Sequence, residues 1–193
     1  ILEADESDGS FLKLPINYSI VTNIDNEHLD FYKNIKNLKN KFIEFLNKTP
    51  SLGKSFVCLD DKNIKKILSR TKNKNFYTYG TNKKSNFFIN NVVQNKKYSK
   101  FNVKIQIPGK KKNIKNVIIP LLGLHNIKNA TSALAVAFSI GVSEKVIKSG
   151  LKNFKGVQRR FNYLFSKNGC EFFDDYAHHP TEISAVLDGV RNV

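Results

Sequence analysis

The sequence predicts an α/β fold: a parallel sheet covered by helices, an antiparallel meander at one edge, and the opening of a further domain behind it. Three observations predict it. From Asn17 to Tyr79, short apolar runs alternate with segments of helical period, the pattern of strand–helix–strand crossovers. Three longer strand-like runs then follow with no helix between them. The final stretch, 157–193, is too short to bury a core alone.

Asn17 to Asn23 reads as a buried strand with a polar exit. Leu38, Phe42, Phe45 and Leu46 fall at helical spacing. Ser55 to Leu59 is a second buried strand, ended by Asp60-Asp61, and Asn63 to Leu68 is a short helix candidate. Asn75 to Tyr79 is a strand closed by Gly80. Phe87 to Val93, Phe101 to Ile107 and Asn116 to Leu121 form the meander, with a Pro-Gly-Lys turn that takes in Lys110 to Lys112. A helix from Ile127 to Ile140 is rich in alanine, with Gly141 placed as its C-cap. Ser143 caps a second helix running to about Asn153. Phe154 to Val157 reads as a linker. Two strands follow, Phe161 to Phe165 and Cys170 to Asp174, then a helix with Pro180 in its first turn.

Composition bounds the function. Apolar residues at 40% and charged residues at 25% are ordinary for a globular protein. No apolar run approaches the roughly 20 residues a membrane helix needs, and the acidic start is not a basic secretory leader. The two cysteines, Cys58 and Cys170, lack metal-type spacing and read as structural thiols of a reducing cytoplasm. The net charge of +16 would suit a nucleic-acid partner. The lysines are scattered among Asn and Ile, however, as base-composition bias would scatter them, and no nucleic-acid motif accompanies them. Methionine is absent, and both ends fall inside structured patterns. The chain is therefore expected to be an internal piece of a longer protein.

Five segments could carry chemistry. Glu3, Asp5, Glu6 and Asp8 crowd within six positions and repel one another unless a cation neutralises them. Mg2+ suits such oxygen groups; a solvated acidic loop is the alternative. Thr22 to Asp30, containing Asp25, Glu27 and His28, lies past the carboxyl end of a strand, where open α/β sheets place ligands. Asn126 and Asn129, after Gly123-Leu124-His125, share a face at a helix start. Their carboxamides suit an adenine edge, although Asn126 could simply cap the helix. Arg160, in Gln158-Arg159-Arg160-Phe161, is a phosphate binder by type. The fifth segment is Asp174-Asp175-Tyr176-Ala177-His178-His179-Pro180-Thr181-Glu182, at a strand-to-helix transition. Its histidine pair is either a surface turn or part of a site completed from elsewhere in the chain.

In this order and spacing, the five segments resemble the Mur ligase family, across essentially the whole chain. The resemblance implies that 1–156 is the carboxyl-terminal half of a central P-loop-type ATPase domain. It implies that 157–193 begins a Rossmann-like C-terminal domain. It further implies ATP and Mg2+, with Glu3 and His28 at the metal. His125, Asn126 and Asn129 would lie on the adenine side. Arg160 and Asp175 would come to the nucleotide from the C-terminal domain, and Tyr176, His178 and His179 would line the closing cleft. Within the family, the Ser-Asp after Glu6 and the Tyr before Ala177 resemble the alanine-adding members, which act on UDP-N-acetylmuramate in the cytoplasm. Members that attach a ready-made peptide to the same sugar nucleotide are the nearest alternative, and a basic nucleic-acid-binding module is the alternative from another class. Asn26-Glu27 departs from the family's more usual Pro-Asp. The Gly-rich phosphate loop is not in this sequence, so the piece alone is expected to bind ATP poorly and to catalyse nothing. Oligomeric state is not implied.

Overall fold

Strands β1 (Tyr18–Val21), β2 (Lys54–Cys58) and β3 (Phe76–Gly80) lie side by side in parallel in the computed structural model, which describes residues 1–191. Four consecutive residues of β2, Ser55 to Cys58, are buried. A parallel strand covered on both faces gives such an unbroken run, where a half-exposed strand would alternate. The crossovers supply the cover: α1 (Leu29–Tyr32) and α2 (Ile35–Asn47) join β1 to β2, and α3 (Lys62–Leu68) joins β2 to β3. Asn34 caps α2 through the Asn37 amide at 2.9 Å, and Asp61 caps α3 through the Ile64 amide at 2.6 Å. The short 3₁₀ helix Ser10–Lys13 and α1 add to the elements expected from the sequence. Single turns carry too few residues to show a period.

The sheet continues in order through β4 (Phe87–Asn95), β5 (Tyr98–Ile107) and β6 (Lys110–Ile119). β4 is parallel to β3, yet no helix joins them. Only two residue pairs, Tyr79 with Phe87 and Gly80 with Phe88, are in register. β4 therefore starts where β3 ends, so a short loop replaces the long crossover that fully overlapping parallel strands need. Asn86 fixes this stagger: its carboxamide oxygen accepts from the Thr78 amide at 2.9 Å, and its nitrogen donates to the Gln106 carbonyl at 2.9 Å. β4, β5 and β6 form the expected antiparallel meander. Lys110 to Lys112 are not in its turn. The register pairs Ile107 with Lys110, leaving only Pro108 and Gly109 as the loop, with Gly109 at φ 72°.

Helix α4 (Leu124–Ser139) packs on β2, β3, β4 and β5, burying Ile127, Leu134 and Ala135. It starts three residues before the expected Ile127, so Asn126 sits inside its first turn and does not cap it. Gly123, at φ 86°, holds the capping position. At the far end Gly141, at φ 91°, follows the C-cap Ile140, and the Val142 amide reaches back to the Ala137 carbonyl at 2.9 Å. α5 (Glu144–Lys152) is capped by Ser143 as expected. After the connecting stretch come the hairpin β7 (Asn162–Lys167) and β8 (Cys170–Asp174), then α6 (Pro180–Arg191). The hairpin leaves Tyr163, Leu164, Phe165, Phe172 and Phe173 exposed. Cys58 is buried and its thiol is pushed up by burial, whereas Cys170 is exposed, contrary to the structural role expected of it. Among the described residues no helix is long and apolar enough to cross a membrane.

Candidate functional site

The loop leaving β1 at its carboxyl end is held from below. Asn63 of α3 donates to the Ile24 carbonyl at 2.6 Å, and the Asn26 amide donates to Asp25 Oδ1 at 2.8 Å. His28 then takes the left-handed conformation, φ 55° and ψ 31°, before α1 begins. A non-glycine residue there carries local strain that its surroundings must over-determine. The conformation brings the imidazole Nε2 to 3.9 Å from Glu6 Oε1 and 3.8 Å from Glu27 Oε2. The other oxygen of Glu27 lies 3.3 Å from His179 Nδ1, and Asp25 Oδ2 lies 3.6 Å from the same nitrogen. Glu27 thus joins two metal-capable groups, Glu6–Glu27–His28 and Asp25–Glu27–His179. The Thr181 hydroxyl, bonded to Asp25, holds its carboxyl below the ordinary aspartate range. Partial burial opposes this, and the Asn26 amide and His179 assist it.

The acidic opening divides by geometry. Asp5 accepts from the Ser7 amide and Asp8 from the Ser10 amide, each at 2.8 Å. Both fold back on their own loop, as Asp does in turns. Glu6 is different, because the buried Tyr32 hydroxyl donates to its carbonyl and pins it against α1. Of the expected metal pair Glu3 and His28, only His28 enters a metal-capable group among the described residues. Glu6 is the carboxylate of this loop that reaches it, while Glu3 is exposed in the extended stretch ahead.

The C-terminal turn is organised by Asp175, whose two oxygens accept from the Phe161 and Ala177 amides at 2.7 Å each. Arg160 lies 4.0 Å from Glu182. Arg159, at 5.0 Å, stacks over the exposed Tyr176 ring, which meets His178 edge-on. His178 stays in solvent, whereas His179 faces the loop after β1. Asn126 donates to the Leu122 carbonyl at 2.7 Å, and Asn129 is exposed.

His125 lies where α4 begins under α6. A Cβ on Gly123 would fall 2.5 Å from its ring, and one on Gly189 would fall 3.1 Å from Gly123 Cα. Burial lowers the His125 pKa, Asp175 opposes this, and Arg160 and Lys128 add to the lowering. A histidine with a depressed folded pKa contributes stability that is complete above its unfolded value, 6.5, and is lost as pH falls through the folded one. Histidine NMR should therefore show His125 neutral at pH 7 and titrating below 6.5, with the contact between α4 and α6 loosening only in that acid range. Titration at or above 6.5 would contradict its burial.

Sequence reasoning did not single out Asp60. At the carboxyl end of β2 it accepts from the Thr81 amide at 2.9 Å, the Asn82 amide at 2.9 Å and the Thr81 hydroxyl at 3.0 Å, with Lys128 Nζ at 3.1 Å. Gly80 is required beside it, since a Cβ there would lie 2.7 Å from Asp60 Oδ1. The available signal was an acidic pair ending a buried strand, together with a lysine inside the Asn126–Asn129 segment.

Known proteins share the sequence and the fold of this chain. Residues 1–137 match the Mur ligase middle domain. The chain is 62% identical over 192 residues to UDP-N-acetylmuramate--L-alanine ligase of Pelagibacter ubique, covering 99% of the chain and 41% of that protein. The crystal structure of UDP-N-acetylmuramate-alanine ligase MurC from Thermotoga maritima superposes with a TM-score of 0.76 at 25% identity, over 98% of this chain and 41% of that one. MurF from Acinetobacter baumannii shares the fold, with a TM-score of 0.79 at 23% identity, over 96% of this chain and 40% of that one. The chain thus spans about two fifths of the length of the proteins it matches.

Proposed function

The chain belongs to the Mur ligase family, and on that premise we propose that the protein containing it is a cytoplasmic ligase that joins L-alanine to UDP-N-acetylmuramate at the expense of ATP. In this reading 1–156 is the carboxyl-terminal half of the ATP-binding domain and 157–193 begins the C-terminal domain; residues 192 and 193 lie outside those described. The observation that carries the reading is the meeting of His179, from the turn after β8, with Asp25 and Glu27 of the loop after β1. A ligase that passes through a reactive acyl phosphate needs two such segments to close over it and keep water out.

The residues fit Mg2+. Glu6 and Glu27, with Glu3 nearby in sequence, offer the hard oxygen donors it prefers, and His28 stands between the first two. When bound, Mg2+ would neutralise charge on the ATP phosphates. The remaining roles belong to the chain's own groups. Asn126 and Asn129 offer donors and acceptors to an adenine, with the half-buried His125 in the same first turn of α4. Arg160, half exposed and with Glu182 at 4.0 Å as its ion-pair partner among the described residues, is available to a phosphate. Asp175 is held rigid by two amides, and a carboxylate retains capacity to accept from a ribose hydroxyl. Tyr176, His178 and His179 line the closing face.

Phosphate release by the full-length protein tests the proposal. Release requiring UDP-N-acetylmuramate and free L-alanine together supports it. Release driven by a peptide in place of alanine would identify a peptide-attaching ligase instead. No release, with nucleic-acid binding that weakens steeply as salt rises, would favour the basic-module reading.

A further inference from the structure

We propose that Asp60 and Lys128 are a positioning pair for the nucleotide base: by fixing how the first turns of α4 are rotated, they set a preference for adenine over guanine. The inference rests on the proposed adenine-side place of Asn126 and Asn129, and neither member of the pair is given contact with the nucleotide. Three observations support it. The first is that one carboxylate joins three elements. Asp60 stands two residues past the end of β2. Its Oδ1 accepts from the Asn82 amide at 2.9 Å, and its Oδ2 from the Thr81 amide at 2.9 Å, the Thr81 hydroxyl at 3.0 Å and Lys128 Nζ at 3.1 Å. The loop from β3 to β4 approaches so closely that a Cβ on Gly80 would lie 2.7 Å from Oδ1 and 2.9 Å from Oδ2. Lys128 therefore docks on a fixed point.

The second observation is helical phase. At about 100° per residue, Asn126 and Asn129 lie about 60° apart, while Lys128 stands about 160° from Asn126 and about 100° from Asn129. Anchoring that flank of α4 fixes the direction in which both carboxamides project. The direction matters because Asn126 is already committed on one side. Its nitrogen donates to the Leu122 carbonyl at 2.7 Å, which leaves its oxygen to accept from a ligand. Adenine presents an amine donor where guanine presents the O6 acceptor. An oxygen held in place accepts from the first and repels the second.

The third observation is a shared anchor. Next to Asp60 in the chain, Asp61 caps α3 through the Ile64 amide at 2.6 Å, and Asn63 donates to the Ile24 carbonyl at 2.6 Å in the loop after β1. One turn, 60–63, thus holds both the start of α4 and the loop that carries Glu27 and His28. The spacing between the base end and the phosphate end of a nucleotide depends on that turn.

The test is calorimetric binding of ADP and of GDP to the full-length protein with Mg2+, in the absence of sugar nucleotide and alanine. Wild type is expected to prefer ADP. Lys128→Met and Asp60→Asn should each cut the ADP-over-GDP preference about tenfold, and Lys128→Arg, which keeps the charge, should retain most of it. A purely structural role would lower the melting temperature and leave the ratio of the two affinities alone. That ratio unchanged in both variants, or a wild type that binds the two nucleotides equally, would overturn the proposal. If Asp60→Asn fails to fold, Lys128→Met decides, since it leaves Asp60 its contacts to Thr81 and Asn82. No ligation is measured, so failure here leaves the proposed activity to its own assay, and failure of that assay leaves the base preference standing.

Discussion

His28→Asn in the full-length protein is expected to lower ligase turnover about 100- to 1,000-fold while shifting its melting temperature little. The magnitude follows from the position. His28 stands 3.9 Å and 3.8 Å from two carboxylates, on the loop where phosphoryl charge would be handled. Loss of one preorganised charge-stabilising contact in such a site is worth roughly 2.7–4 kcal/mol of transition-state energy. Asparagine is the suitable replacement because it tolerates positive φ better than most residues. The backbone at φ 55° is then preserved, and the imidazole alone is removed. His28 makes no side-chain cap to α1, so the fold loses little. Unimpaired turnover with unchanged melting would remove His28 from the site. The same assay on Glu3→Gln and Glu6→Gln ranks the two carboxylates of the acidic loop. The larger loss is expected at Glu6, which reaches His28.

Asp60→Ala should carry the largest local stability effect, about 3 kcal/mol. The Asp60 side chain is only 13% exposed and Lys128 is 26% exposed. Truncation would leave the Lys128 ammonium without its partner and would strip acceptors from the Thr81 and Asn82 amides. An unsatisfied buried group costs more than a hydrogen bond contributes. Hydrogen exchange at those two amides is the direct readout, since local opening registers there before global unfolding. The pH dependence has a definite sign. Burial pushes the Asp60 pKa up, but the Thr81 amide and Lys128 outweigh it and leave it below the ordinary 3.8. The Asp60 contribution is therefore complete above 3.8 and is lost as pH falls through the lower folded value. Protection of Thr81 and Asn82 in the variant equal to wild type at neutral pH would show that Asp60 holds nothing. The consequence reaches the site, because Lys128 lies on α4 between Asn126 and Asn129.

The sheet was legible because its strands obey simple periods. β2 reads as an unbroken apolar run, and β5 alternates because one face is buried and the other is not. Element ends were less legible. α4 begins at Leu124 because a positive-φ glycine, Gly123, turns the chain into it, and a periodic pattern starting at Ile127 does not reveal that turn. The lysines of β6 were misplaced for a related reason. A two-residue loop is enough for the hairpin, and charge on an exposed strand face looks the same in sequence as charge in a turn.

By itself the sequence determined the order of the strands and of the longer helices, the helix caps at Ser143 and near Gly141, and the five segments that mark the family. These are local or order-dependent properties, set by side-chain period, turn chemistry and spacing. Only the tertiary structure decided which carboxylates meet which histidines. Asp5 and Asp8 are consumed by their own backbone turns, Glu6 is carried to His28 by the Tyr32 hydroxyl, and Glu27 faces histidines from both directions. Asp5 and Asp8 are set apart by amides two positions away, but one-dimensional spacing cannot show that Glu6 meets Tyr32 and His28 or that Glu27 meets His179, contacts about 20 to 150 positions apart that form only when the sheet and its crossovers have closed.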